Sequence, residues 1–354
     1  MASGERRREE TYMGKIAIIG LGLIGGSMGL ALKRAGPVDT EVVGFDVDPQ
    51  VGGRALKAGA VKKLAPTLEA AVADATLVVV AVPVISIQKV FETIGPRLQR
   101  GAVVTDTAST KTDVLRWARD HLPQAVHFVG GHPMAGKEKS GPQAAEDVLF
   151  VDRPYAVVPP LDAWPGAVSA VVGFANALGA RPLFMDAAEH DAYAAAISHV
   201  PLISSIALFN LARGSVAWPE LAGMAGPAFY DLTRLASGAP EMSHDICLTN
   251  RDNILHWLDR YVGELDRLRD LIASSDAETL FRTLAEAQLE RDTFLASPPK
   301  RDEQESDVRL PTASEAFMTM IGGNWLQRQR EVTDAIEERQ HAREREERLR
   351  RRPE

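Results

Sequence analysis

One cysteine, Cys247, is all the thiol this chain of 354 residues contains. That excludes an internal disulfide framework and any cysteine-based zinc cluster, and it suits a reducing compartment, the cytoplasm. A basic excess is missing as well. The 40 Lys+Arg against 48 Asp+Glu leave a net charge of −8, so nothing here is built to neutralise the phosphates of a nucleic acid. The opening stretch MASGERRREETYMG lacks the apolar core of a signal peptide, and residues 1–13 read as a disordered extension. A clean membrane span is lacking too. The nearest approach, from Tyr193, carries His199, Pro201, Ser204, Ser205 and Asn210, which predicts a helix buried inside a soluble protein. There is no internal repeat.

What is present has the length of two domains with residues to spare. From Lys15 to about Met134, short β-branched runs (KIAIIG, EVVGFD, TLVVVAVP, GAVVTDT, VHFVGG) alternate with amphipathic stretches. That alternation predicts parallel strands covered by helices on both faces, with ligands at the carboxyl ends of the strands. YAVVP and RPLFM add two strands that finish a first domain over residues 14–185. Beyond it the strand signal stops, and Ala187 to Arg213, Glu241 to Ala273 and Asp276 to Phe294 read as long helices of a second domain over 186–298. Residues 299–354 read as a polar linker and a charged tail in which FMTMIGGNWL is a candidate docking segment. The expected fold class is thus α/β, a dinucleotide-binding domain of the Rossmann type followed by an all-α domain.

Gly20, Gly22 and Gly25 stand in G-x-G-x-x-G spacing straight after a strand, with Leu23 and Ile24 opening the next helix. Asp46 ends the second strand, about twenty residues on, where an acid meets the ribose hydroxyls and repels a 2′-phosphate. Together they predict NAD rather than NADP, its pyrophosphate at the helix N-terminus. DTASTK follows another strand end, where Ser109 either orients a catalytic group or caps the helix beginning near Lys111. In GGHPMAGKEKSG, glycines and a proline clear a loop around His132, an imidazole suited to take a proton from an alcohol at the same sheet edge. His190 and His199, on the helix EHDAYAAAISHVP, read as core or as site residues. Asp231 and Arg234, three apart and on one helical face, read as a solvated ion pair or as a cleft residue with a bidentate carboxylate clamp.

GLGLIGGS, GFDVD, DTASTK, GGHPMAGKEKSG, EHDAYAAAISHVP and DLTRLAS, in that order over roughly residues 14–295, resemble the prephenate/arogenate dehydrogenase family of tyrosine biosynthesis. The resemblance implies a helical domain that forms a homodimer and an active site in the cleft between domains. There His132 would be the catalytic histidine, Ser109 its hydrogen-bond partner, and His199 a residue lining the site. Glu138 would be an acid at the entrance, and Arg234 the receiver of a substrate carboxylate with Asp231 nearby. The implied reaction is NAD-dependent oxidative decarboxylation of prephenate to 4-hydroxyphenylpyruvate, with arogenate or dual cyclohexadienyl use as the alternative. Leu202 departs from the S-H-x-P-H pattern of many prephenate-preferring members and leaves that choice open. The tail lacks the strand-helix alternation of a regulatory ACT domain. Two rival readings are a β-hydroxyacid dehydrogenase or imine reductase, which would use a lysine or aspartate on the interdomain helix, and a non-catalytic NAD-sensing module.

Overall fold

The computed structural model describes residues 14–36, 40–137 and 141–299. The expected extension, the docking segment, the charged tail and Glu138 lie outside the described residues. Nine strands are described: β1 Gly14–Ile19, β2 Thr40–Phe45, β3 Lys63–Leu64, β4 Leu77–Val80, β5 Val103–Asp106, β6 His127–Phe128, β7 Gly130–Pro133, β8 Pro154–Val158 and β9 Arg181–Phe184. Between them run α1 Leu23–Ala35, α2 Pro49–Ala58, α3 Leu68–Val72, α4 Val84–Ile94, α5 Thr112–His121 and α6 Pro165–Ala177. After β9 come only helices: α7 Ala187–Ala194, α8 Val200–Arg213, α9 Trp218–Gly223, α10 Pro227–Thr233, α11 Pro240–Thr249, α12 Arg251–Ala273 and α13 Ala277–Ala296.

The first six strands form one sheet in the order β3-β2-β1-β4-β5-β6, and every described pairing in it is parallel. Its side chains alternate between two buried faces. Ile16, Ile18, Leu77 and Val79 enter one core with α1 and α6, while Ala17, Ile19, Val78 and Val80 enter the other with α4 and α5. Burial on both faces is why these strands read as continuous β-branched runs. The strand order reverses between β1 and β4, the place where doubly wound sheets open a crevice for a ligand.

VHFVGG is not one strand. The chain leaves the parallel sheet after Phe128, and β7 joins a second sheet, antiparallel to β8, with β8 parallel to β9. His132 consequently sits inside a strand, opposite Ala156, and not on the loop expected. Two residues of β3, paired with Val43 and Gly44, were too few to show as a strand.

The helix over Ala187–Arg213 is continuous for 27 residues, but its middle, Ala195–His199, is a π-turn. Pro201 lacks an N–H, and its ring would strike the carbonyl four residues back, so the helix widens just before it. By length and composition this helix would suffice to cross a membrane, and 33% of its most apolar window is buried. The burial expected for it is only partly met within one chain, where Ala195, Leu202, Ile246 and Ile254 form a small core. The stretch from Glu241 to Ala273 is two helices, because Asn250 turns the chain at φ −129°, ψ 29°.

Candidate active site

The turn after β1 is shaped for a dinucleotide. Gly20 has φ +88°, and a Cβ there would lie 2.4 Å from the Ala81 carbonyl oxygen at the end of β4. A Cβ on Gly25 would lie 1.9 Å from the Gly20 carbonyl oxygen, so helix and strand approach as closely as glycine permits. Gly22 differs: a Cβ there would meet nothing within 4 Å. Gly22 is the N-cap of α1 and provides no side-chain cap, and the first turn holds no acid. The orphan N–H groups of the first turn, from Leu23 onward, and the positive end of the helix dipole therefore lie beside the open space at Gly22. Asp46 accepts from Leu21 N at 2.7 Å through Oδ2 and from Asp48 N at 2.9 Å through Oδ1. Each oxygen keeps a lone pair for a ribose hydroxyl.

At the end of β5, buried Asp106 organises the second half of the site. Its carboxylate accepts from Ala108 N at 2.8 Å and Gly131 N at 3.1 Å, and it pairs with the Lys111 ammonium, both side chains fully buried. The Gly131 bond ties β7 to β5 and so places His132 at the carboxyl edge of the parallel sheet. His132 Nδ1 lies 2.9 Å from His190 Nε2, and His190 Nδ1 lies 2.8 Å from Asp191 Oδ1. The Asp191 carboxylate also accepts from Lys111 N at 2.7 Å and Thr112 N at 2.9 Å, capping α5 from a helix some eighty residues away. Asn250 donates to the Asp191 carbonyl at 2.7 Å and sits 3.0 Å from His199 Nδ1.

Burial dominates the acid-base character of this cluster. It pushes His132 well below 6.5, and the neighbouring His190, Lys111 and His199 push the same way. It pulls His199 down to about 4 against the charge of Asp191, which raises it. Lys111 is lowered by burial, with Asp106 opposing. For Asp191 burial would raise the pKa, yet the hydrogen bonds from His190 and Thr112 together hold the carboxyl below its ordinary value. At neutral pH both His132 and His199 are therefore uncharged, and Asp191 is a carboxylate.

The structure brings together His132, His199 and the Ser109 turn, but with different partners from those expected. The described hydrogen-bond partner of His132 is His190, not Ser109. Ser109 does not cap α5 either; no side chain of its own segment does, and Asp191 takes that place. Asp231 lies in α10, which ends at Thr233, and Arg234 opens the 3-10 turn that follows directly; both are exposed. The Ala236 N–H of that turn bonds Ser205 Oγ at 3.1 Å, anchoring it to α8. Leu202 is 7% exposed and belongs to the small helical core. Asp106, Lys111, Asp191 and Asn250 were not anticipated. The adjacent pair His-Asp in EHDAY was a signal for Asp191, whereas Asn250 had none beyond the broken helix pattern.

Two family models match the chain: prephenate dehydrogenase, nucleotide-binding domain, over residues 28–183, and prephenate dehydrogenase, dimerization domain, over residues 186–286. A prephenate dehydrogenase of Bacillus subtilis is 35% identical over 279 residues, 78% of this chain and 75% of that protein. A cyclohexadienyl dehydrogenase of Zymomonas mobilis is 33% identical over 284 residues, 79% of this chain and 96% of that protein. Among solved structures, prephenate dehydrogenase from A. aeolicus in complex with hydroxyphenyl propionate and NAD+ superposes with TM-score 0.74 at 26% identity, covering 79% of this chain and 98% of that one.

Proposed function

This chain belongs to the prephenate dehydrogenase family, and from that premise we propose how its own residues carry the oxidative decarboxylation of prephenate to 4-hydroxyphenylpyruvate. The enzyme is an NAD-dependent dehydrogenase. One observation carries the assignment of roles: His132 is buried, held neutral, and set at the same sheet edge as the glycine turn. Bound NAD supplies the acceptor for the hydride that leaves the ring carbon bearing the 4-hydroxyl. His132 takes the hydroxyl proton as the carbonyl forms. The new ketone is conjugated to the carbon that holds the ring carboxylate, so CO2 leaves and aromatisation drives the step.

The remaining roles follow the family resemblance. The α1 N-terminus at Gly22, Leu23 and Ile24, with Gly20 and Gly25 fixing its approach, holds the pyrophosphate, and Asp46 holds the ribose. Ser109 and His199 line the substrate space, Arg234 with Asp231 nearby binds a substrate carboxylate, and Glu138, outside the described residues, takes the role of entrance acid from the resemblance alone. Residues 14–185 act as the cofactor domain and residues 186–298 as the substrate and dimer domain. Homodimer formation is supported by the dimerization family model and by apolar side chains left open on the helices, with Ile197 70%, Leu211 76% and Phe281 74% exposed. A cytoplasmic enzyme fits the single cysteine.

Arogenate, or use of both cyclohexadienyl substrates, is the second reading, favoured by the Zymomonas relative's name, cyclohexadienyl dehydrogenase, and by leucine at position 202. The test is purified protein with prephenate or arogenate, each with NAD or NADP, following reduced cofactor. Turnover of prephenate with NAD is expected. Silence with both substrates would overturn the reading, and equal use of NADP would remove Asp46 as the selector.

A further inference from the structure

Asp191 reaches each of the two imidazoles just assigned to the site through one intermediary, His132 by way of His190 and His199 by way of Asn250. A carboxylate only accepts hydrogen bonds. The hydrogen between Asp191 Oδ1 and His190 Nδ1 therefore belongs to His190. A ring that carries one hydrogen, on Nδ1, has its lone pair on Nε2, and His190 Nε2 faces His132 Nδ1 at 2.9 Å. His132 Nδ1 must then be the donor, which leaves the lone pair of this ring on Nε2.

The second branch runs through the Asp191 carbonyl, which also cannot donate. It accepts from the Asn250 amide at 2.7 Å, and the Asn250 oxygen is taken by Asn253 Nδ2 at 2.8 Å, so both contacts agree on which way the amide points. The second amide hydrogen goes to His199 Nδ1 at 3.0 Å. Neutral His199 accordingly carries its hydrogen on Nε2. That atom is fully buried and meets no acceptor at hydrogen-bond geometry among the described residues, while the Ser109 backbone lies close enough to the ring to favour its protonated form.

We propose that Asp191 is a positioning residue that sets His132 and His199 in opposite tautomers: His132 with a bare Nε2 that takes a proton, His199 with an Nε2–H that donates to an oxygen of the substrate. The inference rests on the reading of His132 as the base. The carboxylate, fixed by the N–H groups of Lys111 and Thr112, sets the direction of the His132 branch, and the carbonyl of the same residue sets that of the His199 branch.

The experiment is the 15N spectrum of histidine-labelled full-length protein at neutral pH, with ring signals assigned from His132→Asn and His199→Asn. Wild type should show N–H-type Nδ1 and bare-type Nε2 for His132, and the reverse for His199. His190→Phe removes the acceptor and should mix the tautomers of His132 alone, lowering kcat roughly tenfold to a thousandfold with KM and NAD affinity little changed. His190→Gln, whose amide oxygen can take the place of Nε2, should recover much of that loss. Asn250→Leu should mix the tautomers of His199 alone. A wild-type spectrum with the hydrogen of His132 on Nε2 would overturn the proposal, whatever the variants do. A His190→Phe enzyme that loses turnover with an unaltered His132 spectrum would do so too, leaving His190 as packing. Near-normal turnover in His132→Asn would instead sink the base assignment and leave the tautomer pattern standing.

Discussion

His132 shows how much a single side chain owes to its surroundings. In water an imidazole is half protonated near 6.5; here burial and three neighbouring bases hold it neutral far below that. His132→Asn should keep folding and NAD binding while lowering kcat by about 10²–10⁴, the usual worth of a general base. In wild type the acid limb of kcat/KM should fall at a pH below 6.5, and a limb at or above 6.5 would show that the group titrating is not this buried ring. Arg234 is the opposite kind of residue, exposed on a 3-10 turn. If it forks onto a substrate carboxylate, Arg234→Lys and Arg234→Ala should both raise KM about tenfold to a hundredfold, because a charge-assisted bond is worth roughly 1.5–3 kcal/mol. Unaltered KM in both would return Arg234 to the surface.

At the scale of the element, the glycine turn separates two effects that the motif alone runs together. Gly25→Ala puts a methyl 1.9 Å from the Gly20 carbonyl oxygen, so α1 must shift and the melting temperature should drop, by an amount equal to about 1–3 kcal/mol of overpacking or more. Gly22→Ala meets no protein atom within 4 Å; it should melt as wild type does and yet bind NAD more weakly, because the methyl enters the space where a pyrophosphate would lie. Equal NAD affinity in Gly22→Ala would place the dinucleotide elsewhere. This turn was legible in the sequence because strand, glycines, helix and Asp46 are consecutive or nearly so. The same holds for β1, β2, β4 and β5, whose double burial writes itself as unbroken apolar runs. Legibility failed where the cause is remote. VHFVGG gives no sign that its two halves serve different sheets, since that depends on β8 pairing with β7 some twenty-five residues on. Ser109 looked like a cap because Asp191, the true one, is eighty residues away in the chain. Asn250 looked like one more helical residue, and its break is sensible only when its amide is seen between Asp191 and His199.

For the whole molecule, the buried imidazoles join two sheets and a helical bundle into one acid-sensitive unit. The sign follows from the direction of the shifts. His199 is lowered to about 4 from 6.5 in the folded chain, so the unfolded chain binds more protons between those values and acid favours unfolding. The stability that goes with neutral His199 is fully present above 6.5 and is lost as pH falls toward 4. Between pH 7 and pH 5 the loss from this ring alone is about 2 kcal/mol by the linkage relation. His132, shifted the same way, adds to it. Asp191 works in the other direction of charge, but its folded value is below 3.8 and its stabilisation is still intact at pH 5. Urea unfolding of wild type at pH 7 and pH 5, at one protein concentration, should thus show a marked fall in midpoint. His199→Gln, which cannot titrate, should be less stable at pH 7 for its lost packing and should lose less between the two pH values. An equal loss in wild type and His199→Gln would mean that the acid sensitivity resides in another group, and that His199 is protonated in the folded enzyme as readily as in the unfolded chain.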